Sequence, residues 1–308
     1  MKYAINKEFF PLYYFSAPAV HPKIAGFFGS LLKPPRKIFH DKDIDFKVEE
    51  IDGYEGGKIK IYVMSPKSSA KNMPCLVYYH GGGFVYGASE NHYYLCKEYA
   101  LRANCKIVFV DYRLAPKYQF PIPAEDCYSA YLWTIGNAER LGINKKRIAI
   151  GGDSAGGNLT AAVALMLRDR NQPAPLFQML IYPVTDRRMI TESMKSFVDT
   201  PMWNGRLSVK MWEAYLGRKD SEHIEYASPM EAESLADLPD VYMETAEFDC
   251  LRDEGIEYGK RMKKDGVEVV FYATKGTMHA FDGKRSAPTT EEAIQNRLTY
   301  LNRKFNKL

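Results

Sequence analysis

The sequence predicts an α/β protein whose mostly parallel sheet is flanked by helices. Three observations predict it. Six short runs, 75–79, 106–110, 147–150, 177–182, 241–245 and 267–272, are almost continuously apolar, the pattern of strands buried on both faces. Helix-length segments, 89–103, 123–140, 155–170 and 252–265, lie between most of them, and such alternation implies right-handed crossovers and a parallel sheet. The chain of 308 residues suits one large domain with an appended subdomain.

Composition removes several classes. With 46% hydrophobic and 26% charged residues the chain is neither disordered nor fibrous. Lys and Arg number 42 against 38 Asp and Glu, interspersed along the chain, so no electrostatic footprint for nucleic acid exists. Cys75, Cys96, Cys105, Cys127 and Cys250 are odd in number and scattered, without a C-x-x-C pair. They read as reduced core thiols rather than a disulfide framework or a metal cage. No run approaches the roughly 20 apolar residues of a membrane span, so no transmembrane segment is expected. The N-terminus imitates a signal peptide, but Glu8 and Pro11 interrupt the pattern, and a cytoplasmic chain is expected.

The elements follow in order. Residues 1–40 are aromatic-rich and broken by prolines, and read as short helices forming an N-terminal cap segment. Runs 44–51 and 58–64 alternate apolar and polar around a Gly-rich turn, which is a hairpin. The alternating core occupies 41–184 and 236–308. Between them 185–235, with Met194, Met202, Trp203, Met211 and Trp212, is too long for an ordinary loop and reads as a second cap segment. Residues 289–306 form a closing helix.

Two glycine clusters carry the chemistry. Strand 147–150 runs into Gly151-Gly152-Asp153-Ser154-Ala155-Gly156-Gly157 and then directly into an Ala-rich helix. A Gly-flanked Ser between buried strand and helix is a nucleophile elbow, with Gly152 and Gly156 leaving room for close packing. The helix N-terminus favours developing negative charge at the serine. His80-Gly81-Gly82-Gly83 follows strand 75–79. Chance would supply only about 0.002 copies of it at this composition. Three glycines let backbone N–H groups approach a ligand, as the oxyanion of ester cleavage requires.

Together with Asp111-Tyr112-Arg113-Leu114-Ala115-Pro116, these motifs resemble the hormone-sensitive-lipase family of α/β-hydrolases, in the branch with Asp before the nucleophile. The resemblance runs from about residue 44 to the C-terminus. It implies the α/β-hydrolase fold with a helical cap, and an oxyanion hole from the N–H groups of Gly82, Gly83 and Ala155. The 111–116 stretch is expected to be structural.

In this fold the acid and then the histidine follow the serine, each in a loop after a strand. Among six histidines only His279 follows the last strand. After 241–245 come Glu247, Asp249, Asp253 and Glu254; Asp253 and Glu254 fall in the first turn of a helix, where acids are simply favourable. Asp249 lies in the loop and is assigned as the acid, with Glu247 in reserve. The reading is a serine carboxylesterase acting on short- to medium-chain esters: Ser154 attacks, His279 is the base and Asp249 orients it. The partner is a small-molecule ester; no metal or organic cofactor is needed, and a homodimer is allowed. An amidase or peptidase would use the same triad, whereas a binding protein on this fold would be expected to lack one of its members.

Overall fold

The computed structural model describes residues 2–14, 35–68, 70–217 and 222–306. Eight strands, β1 (Ile44–Asp52), β2 (Lys58–Pro66), β3 (Met73–Tyr79), β4 (Lys106–Asp111), β5 (Ile143–Asp153), β6 (Gln178–Ile181), β7 (Val241–Phe248) and β8 (Val269–Met278), make one sheet. Their spatial order is β1-β2-β4-β3-β5-β6-β7-β8. The hairpin β1–β2 is antiparallel, β2 is antiparallel to β4, and β3 to β8 are parallel. From β3 the chain turns back to β4 on one side and then to β5 on the other. Loops leaving β3 and β5 therefore part at a switch in strand order, the place where open α/β sheets bind ligands.

The pleat sends alternate side chains to opposite faces. Along β3, Cys75, Val77 and Tyr79 enter one apolar cluster and Leu76 and Tyr78 the other. Helices α1 (Glu90–Arg102), α2 (Ile122–Gly136), α3 (Ala155–Asp169), α4 (Gly205–Leu216), α5 (Arg252–Lys264) and α6 (Pro288–Phe305) cover these clusters. Residues of α2, α3, α4 and α5 join the first, and residues of α1 and α6 the second. All five cysteines are buried and unpaired. Among the described residues no helix is long and apolar enough to cross a membrane.

One strand departs from expectation. Run 267–272 reads as buried on both faces, but β8 is the sheet's edge, and Phe271 is 42% exposed. Strand β8 also runs on through Lys275-Gly276-Thr277 to Met278, beyond the expected strand end at 272. Its Gly276 carbonyl accepts the N–H of Asn6. The first residues thus lean on the end of β8. Phe9 meets Phe281 edge-on at 5.8 Å, and Tyr3 contacts Phe197 and Phe248 and donates to Asp199. Residues 15–34, including Phe15, Phe27 and Phe28 of the expected N-terminal cap, lie outside the described residues, as do 218–221 of the second.

Candidate active site

The carboxyl ends of β3, β5, β7 and β8 bring the sequence-selected residues together. Ser154 sits between β5 and α3 with φ 55° and ψ −118°, a backbone conformation tolerated only when its surroundings impose it. They do so tightly: its N–H donates to Ile181 of β6 at 2.9 Å, and a Cβ on Gly156 would lie 1.9 Å from the Tyr79 carbonyl. Only glycine permits that approach of α3 to β3. The turn lifts the hydroxyl towards His279, whose Nε2 is 2.9 Å from Ser154 Oγ. On the other side His279 Nδ1 meets Asp249 Oδ2 at 2.7 Å. Asp249 is fully buried, and its Oδ1 accepts the N–H of Leu251 at 3.0 Å. Glu247, the reserve acid, is turned elsewhere; its Oε2 accepts the N–H of Gly276 at 2.7 Å. An imidazole strung between a buried carboxylate and a hydroxyl can draw the hydroxyl proton as an electrophile is attacked.

The glycine loop after β3 lies beside this line. A peptide unit is planar and trans, so fixing its carbonyl fixes the N–H at its far end. The Gly81 carbonyl accepts His80 Nδ1–H at 2.7 Å, which sets the N–H of Gly82. The Gly82 carbonyl accepts the N–H groups of Val85 (3.1 Å) and Tyr86 (2.9 Å), which sets the N–H of Gly83. Burial holds His80 neutral, with a pKa pushed down to about 4. Its ring stacks on Tyr112, whose hydroxyl donates to the His80 carbonyl, so the 111–116 stretch supports this loop without touching Ser154, His279 or Asp249. Ala155 is the first residue of α3.

Sequence reasoning missed how these parts are tied. Asp153, next to Ser154, is buried and accepts from Tyr78 Oη (2.8 Å), Gly81 N–H (3.1 Å) and His92 Nε2 (3.2 Å). Burial opposes its ionisation, yet attraction and hydrogen bonding to His92, with the Tyr78 hydroxyl, hold its pKa at about 2. It links the serine turn to the glycine loop. The only sequence signal is the Asp in the motif; its partners lie 61 to 75 residues away. Trp203, from the long insertion, was noted only as apolar. Its indole covers Gly83, where a Cβ would lie 2.6 Å from the ring, and its centroid is 6.1 Å from that of His279.

Comparison with known proteins identifies the fold and its family. Residues 76–283 match a family model described as the alpha/beta hydrolase fold. Esterase LipI of Mycobacterium tuberculosis is 35% identical over 230 residues, spanning 74% of this chain and 72% of that protein. The arylesterase of Saccharolobus solfataricus is 33% identical over 268 residues, covering 85% and 82%. A bacterial heroin esterase superposes with a TM-score of 0.90 over 99% of both chains at 34% identity. The chain therefore belongs to the α/β-hydrolase family, as a carboxylic ester hydrolase of its hormone-sensitive-lipase-like group.

Proposed function

We propose that Ser154, His279 and Asp249 are the catalytic triad of this esterase and that the N–H groups of Gly82, Gly83 and Ala155 form its oxyanion hole. The observation that carries the reading is the continuous line from Asp249 through His279 to Ser154, with gaps of 2.7 and 2.9 Å. Ser154 Oγ attacks the acyl carbon while His279 Nε2 takes its proton, and Asp249 stabilises the resulting imidazolium. The carbonyl oxygen becomes an oxyanion facing the fixed N–H groups. His279 then protonates the departing alcohol, and a water activated the same way releases the acid. No step asks for a metal or organic cofactor.

The substrates in this proposal are short- to medium-chain acyl esters. Trp203 over Gly83 and beside His279 supports it, since an indole there narrows the space next to the nucleophile. Residues 1–40 and 185–235 act as cap segments over the core of 41–184 and 236–308. The leaning of Tyr3 and Phe9 on Phe197 and Phe281, and the stacking of Tyr215 on Phe84 at 3.7 Å, support that division. The proposal includes a cytoplasmic location, supported by five unpaired buried thiols, and a homodimer, to be checked by light scattering.

A ladder of acyl esters with matched anilides tests the reading. Ester turnover should peak at short to medium chains, vanish in folded Ser154→Ala, and exceed anilide turnover. Deleting residues 1–35 should raise KM and shift the acyl preference, while Ser154 still reacts with a small organophosphonate. Activity above a few per cent in Ser154→Ala would remove the nucleophile assignment, and an unchanged acyl profile in a folded truncation would remove the cap.

A further inference from the structure

His279 is held at both ring nitrogens, yet two hydrogen bonds fix little more than the line between them. The ring can still tilt about that line, and tilt decides whether the Nε2 lone pair faces Ser154. Packing must supply the missing constraint. The Tyr182 ring stands edge-on to His279, with centroids 4.9 Å apart and planes at 63°.

What places Tyr182 is a closed circuit of buried groups that ester hydrolysis does not itself require. Tyr182 follows β6 with φ 33°, a left-handed conformation that an L side chain keeps only when its neighbours enforce it. Its N–H donates to the Glu244 carbonyl at 2.7 Å, and its hydroxyl donates to Asp282 Oδ1 at 2.8 Å. Asp282 lies three residues beyond His279. Its Oδ2 accepts Arg297 Nη1 at 2.8 Å. Arg297 reaches in from α6, is fully buried, and grips the Glu244 carboxylate through Nε (2.9 Å) and Nη2 (2.5 Å). Nη1 also donates to Tyr99 of α1 at 3.1 Å. The circuit Tyr182–Asp282–Arg297–Glu244 thus closes through the Glu244 backbone. Burial keeps the Tyr182 phenol protonated and a donor.

We infer that Asp282, gripped by Arg297, is a positioning residue that orients His279 through the ring of Tyr182. This rests on the reading of His279 as the general base. Buried charges of this kind seldom add stability over apolar packing, although breaking them is costly. A purely architectural circuit would tie α6 to the sheet and leave turnover alone. A positioning circuit acts on turnover, and only while His279 is present.

The test uses the full chain with 4-nitrophenyl acetate and thermal unfolding. Tyr182→Phe removes one oxygen and keeps the ring. It should lower kcat about five- to twentyfold with KM within about twofold, short of the ~100-fold that a 1 Å misplacement costs. Measured on the slow residual turnover of His279→Ala, the same change should cost less than about twofold, because positioning through an absent ring has no effect. Arg297→Lys keeps the charge but loses the two-pronged grip on Glu244, and it carries the same comparison should Tyr182→Phe not fold. If His279→Ala keeps its activity, the triad reading fails and takes the inference with it. If His279→Ala is crippled but Tyr182→Phe keeps kcat and only melts earlier, the circuit is architectural and the inference alone falls. Equal losses in both backgrounds would also overturn it, since the effect would not pass through His279.

Discussion

Asp249→Asn changes one atom and almost no volume, and the geometry allows its consequence to be worked out. The two oxygens of Asp249 do different work: Oδ1 accepts the Leu251 N–H at 3.0 Å, and Oδ2 faces His279 Nδ1 at 2.7 Å. An amide offers one acceptor and one donor. With its oxygen left at Leu251, its NH₂ faces Nδ1, so His279 must carry its proton on Nε2, towards Ser154. The base is then blocked. With the amide turned over, two donors meet at Leu251, which costs about 1–3 kcal/mol in a buried site. That cost keeps the blocked tautomer dominant by about 5- to 150-fold. Loss of the carboxylate opposite the imidazolium adds the rest, and the total for this substitution in serine hydrolases is on the order of 10⁴ in kcat. We expect a loss of about 10³–10⁴ in kcat with KM within about threefold. Initial rates on an activated ester at pH 8, with circular dichroism to establish folding, measure it. Glu247→Gln should cost less than about threefold, because Glu247 is bound to Gly276. A folded Asp249→Asn protein with a tenth of the parent kcat, or a larger loss in Glu247→Gln, would refute the assignment.

Three other outcomes follow from named contacts. Gly83→Ala places a Cβ 2.6 Å from the Trp203 ring at φ 58° and displaces a proposed oxyanion donor; kcat should fall about 10²–10³-fold, and a steady-state assay with near-parent kcat would remove Gly83 from the hole. Asp153 has its pKa lowered from the ordinary 3.8 to about 2, so its contribution is fully present above pH 4 and is lost as pH falls through 2. That contribution is about 2 kcal/mol; urea unfolding between pH 5 and 2 should show Asp153→Asn flattening the acid loss, and identical slopes would deny it. Glu254 behaves oppositely. Burial raises its pKa well above 4.5, so the unfolded carboxyl ionises first and stability falls as pH rises above that value. Glu254→Gln keeps an oxygen for the N–H groups of Thr185 and Asp186, and its stability relative to the parent should grow from pH 5 to 8. A constant difference across that range would place the titration elsewhere.

What the sequence revealed depended on whether the constraint was local. Strand β5 was visible as Arg147-Ile148-Ala149-Ile150, but it begins at Ile143, because exposed Lys145 and Lys146 hide a stretch whose pairing with β3 is irregular. Strand β8 looked like a buried strand because hydropathy does not distinguish an edge from a centre. The convergence of Ser154, Asp249 and His279 was legible because this fold imposes a chain order on its loops and leaves one histidine after the last strand. The link from Asp153 to His92, Tyr78 and Gly81 had no local pattern to announce it. Arg297 lies on the apolar face of its helix beside Ala293, Ile294 and Leu301, where no local pattern names a partner for a charge. It is buried only because Asp282 and Glu244, 15 and 53 residues away, converge on it.

A carboxylate one residue from the proposed nucleophile should oppose an oxyanion forming beside it, and Asp153 raises that difficulty directly. Both of its oxygens are engaged, Oδ1 by Tyr78 and Gly81 and Oδ2 by His92, so its charge is met by three donors before any substrate arrives. One of them, the Gly81 N–H, belongs to the peptide just ahead of the one that carries the Gly82 N–H. The charge that could hinder the reaction is thereby used to hold the loop proposed to assist it. A Cβ on Gly81 would lie 2.2 Å from Asp153 Oδ2, so this approach is open only to glycine. The donors need no reorientation when charge develops, because their peptide planes are fixed by His80, Val85 and Tyr86 as the chain folds. Catalysis by fixed dipoles depends on that order. The glycines and the aspartate of the two motifs are then one device: the glycines let two loops from neighbouring strands come within contact, and the carboxylate sets their register.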